Sequence, residues 1–364
     1  MHTAAAQPVT GVRSAGVLSQ AARDLYPGSF ALVMATGIIS SAAQLLAFPV
    51  LARILLGCNA LFFVVLWLFT LARLAFFFPR LRGDLLGHAT GPGFFTIVAG
   101  TCVLGTQIVL VIGDYGLAMA LGILGLALWL VLTYTFFAAV VTSSSKPALG
   151  SGIHGGWLVS VVATQSVSAL STVLSAGYPA FAQGLLFLSL CFSFAGGMLY
   201  IILIILLFYR LIFFPLAPVE LSPLTWISMG AAAITTLSGA RILASAGEWS
   251  FLAEMVPFLR GYTLFFWSTA TWWIPLLLVL GAWRHPGKGV ALRYEPQYWS
   301  MVFPLGMYTA CTFVLARATG LSFLEWIPRV FLWIALAAWL AVFLGMLAAI
   351  GRGLKRQKLE ESVP

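Results

Sequence analysis

Pro27-Gly28-Ser29-Phe30, running on through apolar and hydroxyl residues to Ala35-Thr36-Gly37, is the first of five copies of one pattern. The next copies are Gly91-Pro92-Gly93-Phe94-Phe95 leading to Gly100-Thr101, and Gly155-Gly156-Trp157 leading to Ala163-Thr164-Gln165. Pro223-Leu224-Thr225-Trp226 and Pro296-Gln297-Tyr298-Trp299-Ser300 complete the set. Each copy opens a long apolar segment, and a second apolar segment without the pattern follows it. A fixed repeat of this kind is the signature of one architecture built from like units. Two segments per unit give five helical hairpins arranged about a common axis.

Composition supports a membrane protein. The chain is 61% hydrophobic and 8% charged, whereas roughly a quarter of the residues of an ordinary soluble domain are charged. A helix needs ~20 mostly apolar residues to cross a bilayer. Ten stretches qualify, at approximately 27–48, 50–78, 92–113, 116–142, 155–177, 180–213, 223–245, 256–283, 297–317 and 327–350. These runs are too long and too uniformly apolar for the alternating strands of a membrane barrel. The expected organisation is an all-α transmembrane domain over 27–350, with an N-terminal tail over 1–26 and a C-terminal tail over 351–364. The stretch before Pro27 carries Arg13, Arg23 and Asp24 and has no signal-peptide core, so it reads as a short mobile tail.

Lys and Arg are retained on the cytoplasmic side. With the N-terminus inside, Arg13, Arg23, Arg73, Arg80, Arg82, Lys146, Arg210, Arg284, Lys288, Arg293, Arg352, Lys355, Arg356 and Lys358 face the cytoplasm. Arg53, Arg241, Arg260, Arg317 and Arg329 face outward, so the division is fourteen against five. Both termini are then cytoplasmic in a multi-pass cell-membrane protein. The net charge of +9 follows from this bias and gives no reason to expect nucleic acid. The basic Lys355-Arg356-Gln357-Lys358 suits anionic headgroups of the bilayer.

Odd and even segments differ in composition. Ser160, Thr164, Ser168 and Ser171 share one face of the fifth. Ser29, Thr36 and Ser40 mark the first, Thr96, Gly100 and Gln107 the third, and Ser228, Thr235 and Ser238 the seventh. The second, through Leu61-Phe62-Phe63-Val64-Val65-Leu66-Trp67, is apolar almost all round, as is the sixth along 201–208. This division fits an inner ring lining a path and an outer ring facing lipid. The competing reading is that small and hydroxyl residues simply join packed helices. Gly37, Gly100, Gly105, Gly230, Gly239 and Pro304-Leu305-Gly306 are expected to interrupt the odd helices, freeing amides as weak anion ligands. No carboxylate falls in the middle of an expected span, which disfavours a proton pump. Arg241 and Arg317, near the outer ends of the seventh and ninth, could draw anions into the mouth. Arg73, toward the inner end of the second, reads as snorkelling to headgroups.

At the ninth segment, Tyr298-Trp299-Ser300-Met301-Val302-Phe303-Pro304-Leu305-Gly306-Met307-Tyr308 resembles the signature of the tellurite-resistance/dicarboxylate transporter family. That family includes the plant guard-cell slow anion channel, yeast malate permeases and sulfite exporters. Pro27-Gly28-Ser29-Phe30 with Met34-Ala35-Thr36-Gly37, and Gly156-Trp157 with Val162-Ala163-Thr164-Gln165-Ser166, extend the likeness over essentially the whole chain. The resemblance implies five hairpins in pseudo-five-fold symmetry, a central pore formed by the odd helices, and a homotrimer with one pore per protomer. It also implies that a phenylalanine on the ninth helix plugs the pore, a role that falls on Phe303 beside Pro304.

The expected function is transport of a small anion, a C4-dicarboxylate such as malate or an inorganic anion. The expected pore-facing residues are Ser29, Thr36, Ser40, Thr96, Gln107, Ser160, Thr164, Ser168, Ser228, Thr235, Ser300 and Phe303. The alternative is a coupled exporter of sulfite or of toxic oxyanions such as tellurite. An enzyme or haem protein is disfavoured. His2, His88, His154 and His285 lie in tails, loops or helix ends, and haem ligation commonly requires histidine within reach of the ring. Cys58, Cys102, Cys191 and Cys311 show no metal or redox spacing. No metal or cofactor is expected.

Overall fold

The computed structural model describes residues 16–361, and all of its regular structure is helical. Ten helices follow the expected segments: α1 (Ala31–Leu45), α2 (Pro49–Phe76), α3 (Phe95–Ile112), α4 (Tyr115–Thr142) and α5 (Val159–Ser175). They continue with α6 (Ala182–Phe213), α7 (Ile227–Ala244), α8 (Val256–Ala282), α9 (Trp299–Thr319) and α10 (Trp326–Glu361). Among the described residues nine are long and apolar enough to cross a membrane. The first is the exception. At 15 residues α1 spans about 22 Å, short of the ~30 Å hydrocarbon core. Its end is set by Ala47, which takes a left-handed φ of 64°. The chain then folds back so that the Phe48 N–H donates to the Ala43 carbonyl at 2.8 Å, and Pro49 starts α2.

Burial separates the helices into two sets. The most apolar stretches of α3, α5, α7 and α9 are 83–94% buried, and those of the even-numbered helices 17–39%. Nearly all of α1 is buried as well. The odd helices pack in a closed order: α1 on α3, α3 on α5, α5 on α7, α7 on α9, and α9 back on α1. Each even helix lies against its own hairpin partner and against the next odd helix.

That second contact carries a polar bond in every case. Asn59 of α2 donates to Gln107 of α3 at 2.7 Å, and Trp129 of α4 to the Thr164 hydroxyl of α5 at 2.8 Å. Tyr200 of α6 donates to the Ser228 carbonyl of α7 at 3.1 Å, and Trp267 of α8 to the Thr312 hydroxyl of α9 at 3.0 Å. Trp339 of α10 closes the series on the Thr36 hydroxyl of α1 at 2.9 Å.

The recurring Pro/Gly pattern forms turns that lead into the odd helices: Gly91–Phe94, Gly155–Leu158, Pro223–Trp226 and Pro296–Tyr298 are single 3₁₀ turns. Successive lead-in turns pack on one another. A Cβ on Gly93 would sit 2.9 Å from the Gly28 nitrogen, and one on Gly155 would sit 2.8 Å from the Thr225 Cα. Glycine is required there because backbone meets backbone.

The expected interruptions of the odd helices are absent. The helices run unbroken through Gly37, Gly100, Gly105, Gly230, Gly239 and Pro304. The glycines serve close packing instead. A side chain at Gly230 would strike the Pro304 ring at 2.7 Å, and one at Gly37 would strike Val103 and Asn59. Within the N-terminal stretch, residues 1–15, with His2 and Arg13, lie outside the described residues. Val17–Arg23 is helical and buries Ala22, and Asp24 pairs with Arg23 and Arg80. α10 continues through 351–361 of the expected C-terminal tail, and 362–364 lie outside the described residues.

The left-handed conformation of Ala47 costs roughly 1 kcal/mol, a cost that glycine avoids. Ala47→Gly should therefore raise the midpoint of thermal unfolding in detergent by one or a few degrees. A lowered midpoint would show that this turn is not strained.

Candidate functional site

The hydroxyls of the odd helices satisfy themselves first. Thr36, Ser41, Thr101, Thr164, Ser166, Ser171, Thr235, Thr236 and Thr309 each donate to the carbonyl four residues earlier. In a medium without water this removes the cost of an unpaired donor.

The sequence-expected lining residues then divide by partner. Thr36 and Thr164 accept the indoles of Trp339 and Trp129, Gln107 accepts Asn59, and Ser40 donates to the Ala52 carbonyl of α2 at 2.7 Å. Ser168 donates to the Ser189 carbonyl of α6 at 2.7 Å and meets the Ser238 hydroxyl of α7. These five side chains therefore face neighbouring helices. Ser29 lies in the turn before α1, and Thr96 and Ser160 open α3 and α5, each donating to the carbonyl three residues before, of Tyr26, Gly93 and Trp157. Thr235 back-bonds to Ala231 and Ser228 is buried with its hydroxyl unpaired. Ser300 is buried and makes no side-chain hydrogen bond among the described residues.

Phe303 sits differently. On α9, Tyr308 meets Thr271 of α8, and Thr312 receives Trp267 of α8. At about 100° per residue, Phe303 points about 140° and 180° away from these two positions. Its neighbour Pro304 abuts Gly230 of α7, and Gly306 abuts Ile38 and Ile39 of α1. Phe303 falls between those contacts, so it faces the interior of the ring, where it is 1% exposed.

Arg241 shares that interior. On α7, Ser238 faces α5, Gly239 faces Thr263 of α8, and Gly230 faces α9. Arg241 lies in the sector between α5 and α9. It is 8% exposed, donates through Nη1 to the Ala169 carbonyl at 3.0 Å, and has no carboxylate partner among the described residues. Arg317 is placed otherwise. It is solvent-exposed, pairs with Glu325 at 3.3 Å and lies 5.5 Å over the Phe313 ring. Arg73 does not snorkel. It is 2% exposed, donates to the Leu25 carbonyl at 2.9 Å and pairs with Asp84, because the chain returning from α2 places that carboxylate beneath it.

His154, expected only to lie in a tail, loop or helix end, has a structural role. Its Nδ1 accepts the Gly156 N–H at 3.1 Å, leaving Nε2 to donate to the Ala89 carbonyl at 3.1 Å. It thereby ties the lead-in of α5 to the loop before α3. A His before a Gly-Gly pair is the only local signal for this cap.

The profile of the voltage-dependent anion channel family matches residues 24–347. An uncharacterized membrane protein of Mycobacterium tuberculosis is 40% identical over 147 residues, 39% of this chain and 74% of that protein. An uncharacterized transporter of Methanocaldococcus jannaschii is 24% identical over 331 residues, 87% of this chain and 91% of that one. A second uncharacterized transporter of the same organism is 26% identical over 153 residues, covering 41% and 42%.

Burial holds the His154 imidazole below its ordinary value, and the Arg210 charge acts in the same direction against the Ala89 bond. The unfolded chain therefore binds this proton more readily than the folded one. Stability present above about pH 6.5 declines as the pH falls below that value. The thermal midpoint should drop between pH 7 and pH 5, and less so in His154→Asn, whose amide oxygen can still accept the Gly156 N–H. An identical pH dependence in the two proteins would remove His154 as the source.

Proposed function

Because the chain belongs to the voltage-dependent anion channel family, we propose that it carries small anions through the middle of the odd-helix ring, with Phe303 as the gate. The protein is a membrane transporter or channel rather than an enzyme. In this reading the ten helices are ten spans in pseudo-five-fold order, α1 reaching its full depth with the Pro27–Phe30 turn. Both termini are cytoplasmic, the membrane is the cell membrane, and the protein is a homotrimer with one path in each protomer.

The observation that carries the proposal is Arg241, a buried cation with no carboxylate partner among the described residues, on the inward side of a ring that also holds Phe303. A lone guanidinium inside a low-dielectric ring is a costly group to keep unless it serves an ion. It attracts anions to the outer half of the path and repels cations. Phe303, with Pro304 wedged against Gly230, presents an aromatic constriction that blocks ions by size and by dewetting. Ser300, one turn away, offers a hydroxyl to a passing anion. The expected anion ligands are thus side chains, since the continuous helices free no backbone amides at mid-membrane. Arg317 shares its charge with Glu325, so the mouth role rests chiefly on Arg241. C4-dicarboxylates such as malate, and inorganic anions, are the proposed substrates.

Anion current in planar bilayers tests this directly, with chloride, nitrate, sulfite and malate presented in turn. Phe303→Ala should raise the current severalfold. Unchanged current in a folded mutant would sink the gate. Arg241→Gln should lower anion current by up to about tenfold, most strongly at low ionic strength. Flux that strictly requires a pH gradient would replace the channel with a coupled exporter of sulfite or tellurite.

A further inference from the structure

Three of the even helices end on the same side of the membrane in an inward-turned arginine, and two of these meet a carboxylate, although the Arg73 Nε is itself enclosed without a partner. Arg73 of α2 holds the Leu25 carbonyl and Asp84, as described above. Arg210 of α6 donates to the Gly150 carbonyl at 2.6 Å and pairs with Glu220 at 3.4 Å. Arg284, at the end of α8, is 8% exposed. Yet its side chain makes no hydrogen bond or ion pair among the described residues, and its Nε is enclosed without a partner. The chain beyond it folds back through Gly289 and Val290, and no carboxylate among the described residues pairs with it as Asp84 pairs with Arg73.

Arg284 lines a cavity of about 140 Å³ whose wall also includes Ser222, Thr225, His285 and Tyr298. Ser222 precedes the lead-in turn of α7 and leaves its side chain unused as a cap. A guanidinium fork with hydroxyl donors at the start of a helical segment is the arrangement that suits a phosphate group. Beside this cavity runs an apolar groove of about 330 Å³, which shares Leu292, Tyr298 and Met301 with it. Ala338, Ala341 and Gly345 of α10 form its far wall, and Arg293 stands at its edge. Ala341 is exposed on the lipid-facing side of α10. A polar, positively charged pocket thus continues into an apolar channel open to the bilayer.

We propose that this is a binding site for an anionic phospholipid, with the headgroup phosphate on Arg284 and one acyl chain in the groove against α10. The site lies outside the ring, so it is independent of the proposed anion path, and its test needs no transport. Charge complementarity selects the occupant: a neutral chain would leave Arg284 unpaired, and a free anion would leave the groove empty.

Native mass spectrometry of the purified protein, titrated with phosphatidylglycerol or phosphatidylcholine, tests the proposal. The wild type should retain phosphatidylglycerol in preference to phosphatidylcholine. Arg284→Gln should reduce that preference by about tenfold or more, and Arg53→Gln, on the opposite side of the membrane, should not. Ala341→Trp fills the groove from the lipid side without touching the core, and should weaken retention of phosphatidylglycerol even if Arg284→Gln fails to fold. Undiminished preference in folded Arg284→Gln, or in Ala341→Trp, would overturn the site. Displacement of the lipid by inorganic phosphate at millimolar concentration would reassign it to a free anion.

Discussion

The wheel depends on one kind of interaction, a hydrogen bond from each even helix to the next odd helix. Within a bilayer, lipid tails solvate apolar side chains as well as another helix does, so hydrophobic burial does not hold helices together. Buried polar bonds are worth about 0.6–2 kcal/mol each in that medium. Here they run from Asn59 to Gln107, Trp129 to Thr164, Tyr200 to Ser228, Trp267 to Thr312 and Trp339 to Thr36. Because the last returns to the first helix, every hairpin is held by the one before it and holds the one after.

Three of the five donors are tryptophans, and this follows from their chemistry. An indole is apolar over most of its surface and carries one donor at its edge. It can therefore belong to a lipid-facing helix and still reach inward. Two of the accepting threonines, Thr36 and Thr164, have already given their proton to their own helix, so only their lone pairs remain for the partner. The bond is directional without leaving a spare donor in the hydrocarbon.

Charge is distributed by the same economy. At one end of the even helices, Arg73 and Arg210 meet carboxylates and carbonyls and anchor the loops that return to the ring. Arg284 and Arg241 are equally buried and meet no carboxylate among the described residues. The first pair ties the fold together. The second pair lies where an anion could complete it, one inside the ring and one against the lipid.

Much of the architecture was legible in the chain alone. The five-fold recurrence of Pro or Gly before an aromatic marked the hairpins, and length with hydropathy marked the spans, because both are properties of local sequence. Even there α1 came out short, since the left-handed turn at Ala47 carries no glycine to announce it. The hydroxyl faces of the odd helices were also legible, but not what they face. A Ser or Thr at a given spacing fits a pore wall and a helix seam equally well, and only the positions of Trp129, Trp339, Ala52, Asn59 and Ser189 show that Thr164, Thr36, Ser40, Gln107 and Ser168 look toward neighbours. Likewise local sequence specifies which residues carry charge, hydroxyls and bulk, and on which helix. The tertiary structure alone decided which arginines meet a carboxylate and which side of the ring Phe303 occupies. Helix rotation about its own axis is set by contacts between segments far apart in the chain, and periodicity within one segment does not contain it.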